Sequence, residues 1–230
     1  MRVVLLRHGE TDRNAADRFQ AQTDVPLNDE GVRQAQHAAR SLPPGGWAAV
    51  YSSPMARAAQ TAAYAAGRFD VPHHRIDGLR ERHLGRLDGL RRAEFARSHP
   101  ATMRRLLDDP GYAPPGGESG HAARARFCAA LHDVLIAERT AGQVLVVTHG
   151  GVLNLVARAL AATRAEVPHV MVGTCRAVCL DTEWTAQGRP RVALRWWNAA
   201  PQECAGTERP CAPLTFIDLD TLTAEKVAHA

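Results

Sequence analysis

Val3-Val4-Leu5-Leu6-Arg7-His8-Gly9-Glu10-Thr11-Asp12-Arg13-Asn14 is the stretch whose reading decides the fold. An unbroken apolar run of valine and leucine stops at a guanidinium, an imidazole and a glycine. That is the pattern of a buried parallel strand delivering polar groups to its C-terminal edge. In an open α/β sheet this edge is where ligands bind. Gly9 lets the backbone turn sharply and approach a ligand closely, and Thr11 and Asn14 add hydrogen-bonding side chains just beyond it. Such an ensemble suits an anion. The pattern occurs a second time: Gln143-Val144-Leu145-Val146-Val147-Thr148 is the clearest buried strand of the chain and runs straight into His149-Gly150-Gly151.

Between these edges, strands and helices alternate. Arg18 to Leu27 has no sustained period and reads as a loop. Asn28 is placed as a helix N-cap before Val32, Ala35, Ala39 and Leu42 at helical spacing, and Pro43-Pro44-Gly45-Gly46 stops that helix. Trp47 to Ser52 is a second strand. Met55 to Ala62 is alanine-rich and helical, with Arg57 in its first turn. A cation there opposes the helix dipole, and a bound phosphate dianion would reverse that argument. A strand around His73 to Ile76 leads into the glycine-punctuated loop Leu79 to Gly89. Short helical pieces carrying Arg91-Arg92 and Arg104-Arg105 follow, then a long amphipathic helix from Glu118 to Thr140 with Ala125, Cys128, Leu131 and Leu135 along its stripe. Past His149, a helix runs from Val152 to Ala162. Val170 to Trp184 and Val192 to Asn198 read as a hairpin, in which Cys175 and Cys179 share one face by period two.

The 230 residues suffice for one substantial α/β domain. No run reaches the roughly 18 apolar residues of a membrane span, and Arg7 interrupts the N-terminal run too early for a secretory core, so a cytoplasmic protein is expected. The net charge of +4 comes from scattered arginines with 5% aromatic residues and no basic block, which argues against nucleic acid. Lys226 is the sole lysine; arginine suits bidentate phosphate recognition. Cys128, Cys175, Cys179, Cys204 and Cys211 form no metal-spaced set and read as reduced and mostly structural, with a Cys204–Cys211 pairing the minor alternative. No P-loop and no His-Glu-x-x-His is present, so no metal or other cofactor is expected.

Leu6-Arg7-His8-Gly9-Glu10-Thr11 resembles the signature of the histidine phosphatase superfamily, the phosphoglycerate mutase-like proteins. Ser52-Ser53-Pro54-Met55-Ala56-Arg57-Ala58-Ala59-Gln60-Thr61-Ala62 is similar to the second signature of that family, and Leu79 to Gly89 resembles its acid loop. The resemblance implies a three-layer α/β/α fold with a mostly parallel central sheet over residues 1–200. It implies a lid-like insertion around 90–120 that covers the pocket and selects the substrate, and residues 201–230 read as an appended tail, with Leu214 to Leu219 packing back.

The same resemblance assigns roles. His8 would attack phosphorus as a neutral imidazole. Arg7, Arg57 and His149 would surround the phosphoryl oxygens. Glu81 would hold a proton beside the phosphate, give it to the departing alkoxide and then activate water, with Asp88 or Glu118 as substitutes. Gly9, Thr11, Asn14, Gln20, Ala21, Arg82, Gly150, Arg92, Arg104 and Arg105 complete the expected substrate-binding set. Two branches remain open. Glu81-Arg82-His83-Leu84-Gly85 to Glu94 and the pair Arg104-Arg105 are similar to cofactor-dependent phosphoglycerate mutases, although Leu84, Arg92 and Arg13 replace the tyrosine, lysine and tryptophan expected there. Gln20 to Asp24, Pro115 to Ser119 and His149-Gly150-Gly151 look like the phosphatase branch, which is preferred. A non-catalytic phospholigand-binding protein is the third reading. The expected partner is a small phosphorylated substrate; the oligomeric state stays open, a homodimer among the choices.

Overall fold

The computed structural model describes residues 1–161, 171–205 and 215–223. In chain order the elements are β1 (Arg2–Arg7), α1 (Asp12–Ala15), α2 (Asp29–Ser41), β2 (Trp47–Ser52), α3 (Ala56–Phe69), β3 (His73–Arg75), α4 (Arg92–Ser98), α5 (Pro100–Asp108), α6 (Gly120–Ala137), β4 (Gln143–Thr148), α7 (Gly150–Ala161), β5 (Ala177–Trp184), β6 (Pro190–Ala199), β7 (Ile217–Asp218) and α8 (Leu219–Thr223). They build one seven-stranded sheet in the order β3-β2-β4-β1-β5-β6-β7. The first four strands are mutually parallel, while β5, β6 and β7 each run antiparallel to the preceding neighbour.

Period-two alternation in the two central strands makes the three layers. Val4 and Leu6 of β1, with Leu145 and Val147 of β4, face α2 and α3. Val3 and Leu5, with Val144 and Val146, face α6, α7 and α8. Residues 3–6 are at most 1% exposed; burying each such side chain contributes about 1.5–3 kcal/mol. Both faces of these strands are covered, which is why they read as continuous apolar runs in the sequence. Among the described residues no helix is long and apolar enough to cross a membrane, and no group of three or more His, Cys, Asp or Glu is placed to hold a metal ion.

Helix ends obey local chemistry. Asn28 caps α2 by accepting from the Gly31 amide at 2.8 Å, and Ser119 caps α6 by accepting from Ala122 at 3.1 Å. The insertion forms α4 and α5, which pack on a separate small core of Phe19, Leu87, Phe95 and Leu106, distinct from the two clusters flanking the sheet.

Three expectations need revision. Part of the chain beyond residue 200 is built into the domain: β7 adds the seventh strand, Leu219 and Leu222 are 1% exposed, and Arg124 donates to the Leu222 carbonyl at 2.8 Å. Pro201–Ala205 forms a 3₁₀ turn whose Cys204 carbonyl accepts from Arg2 at 2.7 Å. The cysteines are not all reduced, because Cys179 and Cys204 form a disulfide; β6 runs back alongside β5 and delivers Cys204 to it despite a sequence separation of 25. Cys128 and Cys175 are free and buried. Cys175 packs in the same cluster as Cys179 but lies before β5, in a left-handed turn. Val170, Leu214 and Cys211 lie outside the described residues.

Candidate active site

The parallel register between β1 and β4 sets the centre of the site. Arg7 pairs with Thr148, and the His8 amide donates to the Thr148 carbonyl at 3.0 Å. His8 and His149 therefore leave adjacent strands at the same level, with ring centroids 5.1 Å apart. Both are buried: 2% and 0% exposed.

His8 is held in one tautomer by its partners. Its Nδ1 lies 2.6 Å from the Gly9 carbonyl, an acceptor only, so the proton sits on Nδ1. Its Nε2 accepts from Arg57 Nε at 3.2 Å and so carries the lone pair. Burial first, then the neighbouring Arg57 and Arg7 cations, hold the ring well below the ordinary pKa of 6.5, and the neutral form is the resident one. His149 is shifted the same way, by burial and then by Arg57, His8 and Arg7. Neither nitrogen of His149 has a hydrogen-bond partner among the described residues. A buried imidazole without partners, set beside two guanidiniums, is suited to donate to an anion.

Two arginines complete the cradle. Arg57, in the first turn of α3 and fully buried, ties the 20–24 loop by donating to the Ala21 and Thr23 carbonyls, each at 2.9 Å. Arg7 donates to the Val172 carbonyl at 2.7 Å while its buried Nε has no partner. Gly150 explains how Arg7 fits: a Cβ there would meet Arg7 Nε at 3.1 Å. Burial pushes each guanidinium down to about 10, still charged at neutral pH.

Glu81 sits at the far side, docked on the start of α7. Its Oε2 accepts from the Gly151 amide at 2.8 Å, and its Oε1 from Val152 at 3.0 Å and Arg82 at 2.8 Å. The Glu81 carbonyl is held in turn by Gln22 and Arg126. Its suggested substitutes are engaged elsewhere: Glu118 pairs with Arg126 at 2.6 Å and Asp88 with Arg13 at 2.6 Å.

A cavity of about 360 Å³ opens over this centre, lined by Arg7, His8, Asn14, Gln20, Ala21, Arg57, Glu81, Arg82, Arg92 and Gly150 among others. Five expected residues lie outside its lining, one of them the fully buried His149. Gly9 serves packing: a Cβ on it would come within 2.5 Å of the Gly31 carbonyl, and its amide donates to Thr61 Oγ1 at 3.1 Å. Thr11 is buried as the N-cap of α1 and bonds Asn14 and Gln20. Arg104 and Arg105 are exposed on the outer face of α5, because helical spacing turns Met103, Leu106 and Leu107 to the cavity instead. Arg105 stacks on Tyr112 at 4.4 Å and pairs with Asp109. Arg82 does reach the wall, but its donors go to the Leu106, Tyr112 and Glu118 carbonyls, so it anchors the insertion to the acid loop.

Sequence reasoning missed Thr61, Gly151 and Arg126. Gly151 had a signal, the second glycine of the doublet: a Cβ on it would sit 2.5 Å from Glu81 Oε1. Thr61 and Arg126 act through contacts 52 and 45 residues distant, which no local pattern announces.

The two imidazoles are expected to make the fold sensitive to acid. Above pH 6.5 neither the folded nor the unfolded chain protonates them, so they cost nothing. As pH falls through 6.5, the unfolded chain takes up protons that the buried rings refuse, and stability declines. Between pH 7.5 and 5.5 each ring should cost about 1.4 kcal/mol. Urea unfolding at both values checks this: His149→Asn should recover its share of the decline, and an identical decline in that variant would contradict the assignment.

Comparison with known proteins shows the family to which this chain belongs. Residues 3–198 match the histidine phosphatase superfamily (branch 1). Over 215 residues the chain is 33% identical to glucosyl-3-phosphoglycerate phosphatase of Mycolicibacterium vanbaalenii, covering 87% of this chain and 96% of that protein. Over 163 residues it is 39% identical to the metal-independent phosphoserine phosphatase of Arabidopsis thaliana, covering 67% of this chain and 66% of that protein. A solved structure of mycobacterial glucosyl-3-phosphoglycerate phosphatase in complex with VO3 aligns with a TM-score of 0.75 and 30% identity, over 86% of this chain and 99% of that one. On the match of nearly its whole length, the chain belongs to the histidine phosphatase superfamily.

Proposed function

We propose that this chain is a metal-independent phosphatase that hydrolyses small-molecule phosphate monoesters through a phosphohistidine formed on His8. One observation carries the reading: a lone pair on His8 Nε2, an orphaned His149 and the guanidiniums of Arg7 and Arg57 converge on one buried spot. That set supplies the nucleophile and the charge that phosphoryl transfer needs. Arg57 and Arg7 bind the nonbridging oxygens and His149 donates a hydrogen bond to one of them. The amides of Asn14 and Gln20 add neutral donors at the rim, while Ala21 and Gly150 keep the wall close. His8 Nε2 attacks phosphorus as the ester oxygen departs, and Glu81 gives that oxygen its proton. Glu81 then takes a proton from water, which attacks phosphohistidine and releases inorganic phosphate, restoring both groups.

The insertion serves as a lid over the leaving group, and Arg92 is the cation at that end. Its buried Nε has no partner, and its guanidinium stacks over Phe19 at 5.5 Å. The mutase reading loses support because Arg104 and Arg105 point away from the cavity. Phosphate release from a panel of monoesters in EDTA, run beside 3- to 2-phosphoglycerate conversion, tests the choice. Release undiminished by EDTA and exceeding isomerisation is expected. Isomerisation outpacing release would favour the mutase, and a metal requirement would count against the mechanism.

A further inference from the structure

The phosphoryl cradle occupies only one end of the cavity, and the other end has a different character. Its wall is formed by Leu84, Met103, Leu106, Leu107, Leu155 and Met171. Leu107 and Met171 are 47% and 38% exposed, two of the five large apolar side chains left open on the described surface, and both stand at this mouth. The polar groups beside them are largely engaged, apart from Arg92, whose buried Nε has no partner and whose guanidinium lies over Phe19. Asn154 turns its oxygen to the Val172 amide at 3.3 Å and its nitrogen to Met171 Sδ. Arg82 donates one hydrogen bond from each of its three nitrogens to a carbonyl, and Arg158 donates to the Leu107 carbonyl at 2.6 Å.

We propose that the leaving-group end of the active site selects an apolar body, an alkyl or aryl chain, over a polyol or sugar. A polyol placed there would lose water from its hydroxyls and meet methyl and thioether groups in return. An alkyl or aryl chain would cover exposed leucine and methionine, and methionine adapts its shape to such ligands. The helical face of α5 that presents Met103, Leu106 and Leu107 together is thereby a specificity device. The exposure of Leu107 has no packing purpose in the free protein. This inference rests on the phosphoryl group sitting at His8, as proposed above.

The test uses the full chain and nonhydrolysable n-alkylphosphonates, from methyl to hexyl, with Kd measured by calorimetry. Each methylene that becomes buried should tighten binding about fourfold, so hexylphosphonate should bind at least about tenfold tighter than methylphosphonate. Propylphosphonate should also bind tighter than 2,3-dihydroxypropylphosphonate. A Kd that stays constant along the series, or a preference for the dihydroxy compound, overturns the proposal while leaving the phosphoryl site intact. In a Met103→Gln, Leu107→Gln variant the dependence on chain length should flatten. Position 107 is open to solvent whereas Met103 packs on the insertion's core, so circular dichroism of this variant and of Leu107→Gln alone checks that the fold is kept. An undiminished dependence would place the chain elsewhere and overturn the assignment. If no phosphonate binds and no monoester releases phosphate, the phosphatase reading itself fails, and this inference with it.

Discussion

Replacing His8 by alanine should lower kcat by about 10⁴-fold or more, the scale seen when a catalytic nucleophile is removed. The expectation follows from geometry that leaves no understudy. His8 Nε2 is the only ring nitrogen at the centre with its lone pair fixed by a partner, since the Gly9 carbonyl holds the proton on Nδ1. His149 lies 5.1 Å away, with neither ring nitrogen oriented by a hydrogen bond among the described residues. Rapid quench of the wild-type protein with labelled substrate should trap an adduct that survives base and is lost in acid. In His8→Ala that adduct should vanish. An adduct of the same lability in the variant would move the nucleophile to another residue. Because the change removes a buried ring, circular dichroism and binding of inorganic phosphate to the folded variant separate lost chemistry from lost structure.

Glu81→Gln should reduce kcat for alkyl phosphates by about 10²–10⁴-fold, the range for removing a general acid. With p-nitrophenyl phosphate the loss should be much smaller, since that leaving group departs without a proton. The contrast between the substrates is the diagnostic, and equal losses would argue for another acid. Glutamine can keep two of the three amide contacts, those of Arg82 and Val152 to Oε1. The oxygen that Gly151 addresses would become an NH2 group facing an N–H. Gly151→Ala offers an independent approach. Its Cβ would stand 2.5 Å from Oε1 and force the carboxylate off the α7 terminus. The same substrate contrast, at intact charge, is then expected. If Gly151→Ala loses equally on both substrates, the displacement harms more than proton delivery.

Much of this site was legible because its information is local. The β1 and β4 runs are buried on both faces, so their apolar continuity marks them as central strands, and the residue ending each run must lie at the sheet edge. Arg57 betrayed itself as a cation at the wrong end of a helix. What stayed hidden is non-local. The role of Gly9 depends on how closely α2 crosses behind it at Gly31, and a one-dimensional reading assigns its missing side chain to the ligand instead. Arg104 and Arg105 were placed by resemblance in motif, while the phase of a nine-residue helix decides where they point. The Cys179–Cys204 link and the seventh strand both depend on β6 returning beside β5, which no spacing rule reveals.

The insertion rests on its own cluster of Phe19, Leu87, Phe95 and Leu106, apart from the two that clamp the sheet. The insertion and the histidine-bearing strands therefore rest on different cores, joined through Arg82 beside Glu81. Exchanging Met103 or Leu107 perturbs a small outlying cluster and leaves the histidine-bearing strands in place. Repertoire can drift at one storey of the building while the foundations keep their tolerances, and a grafted α4–α5 unit is a route to redirecting this scaffold without rebuilding its reactive centre.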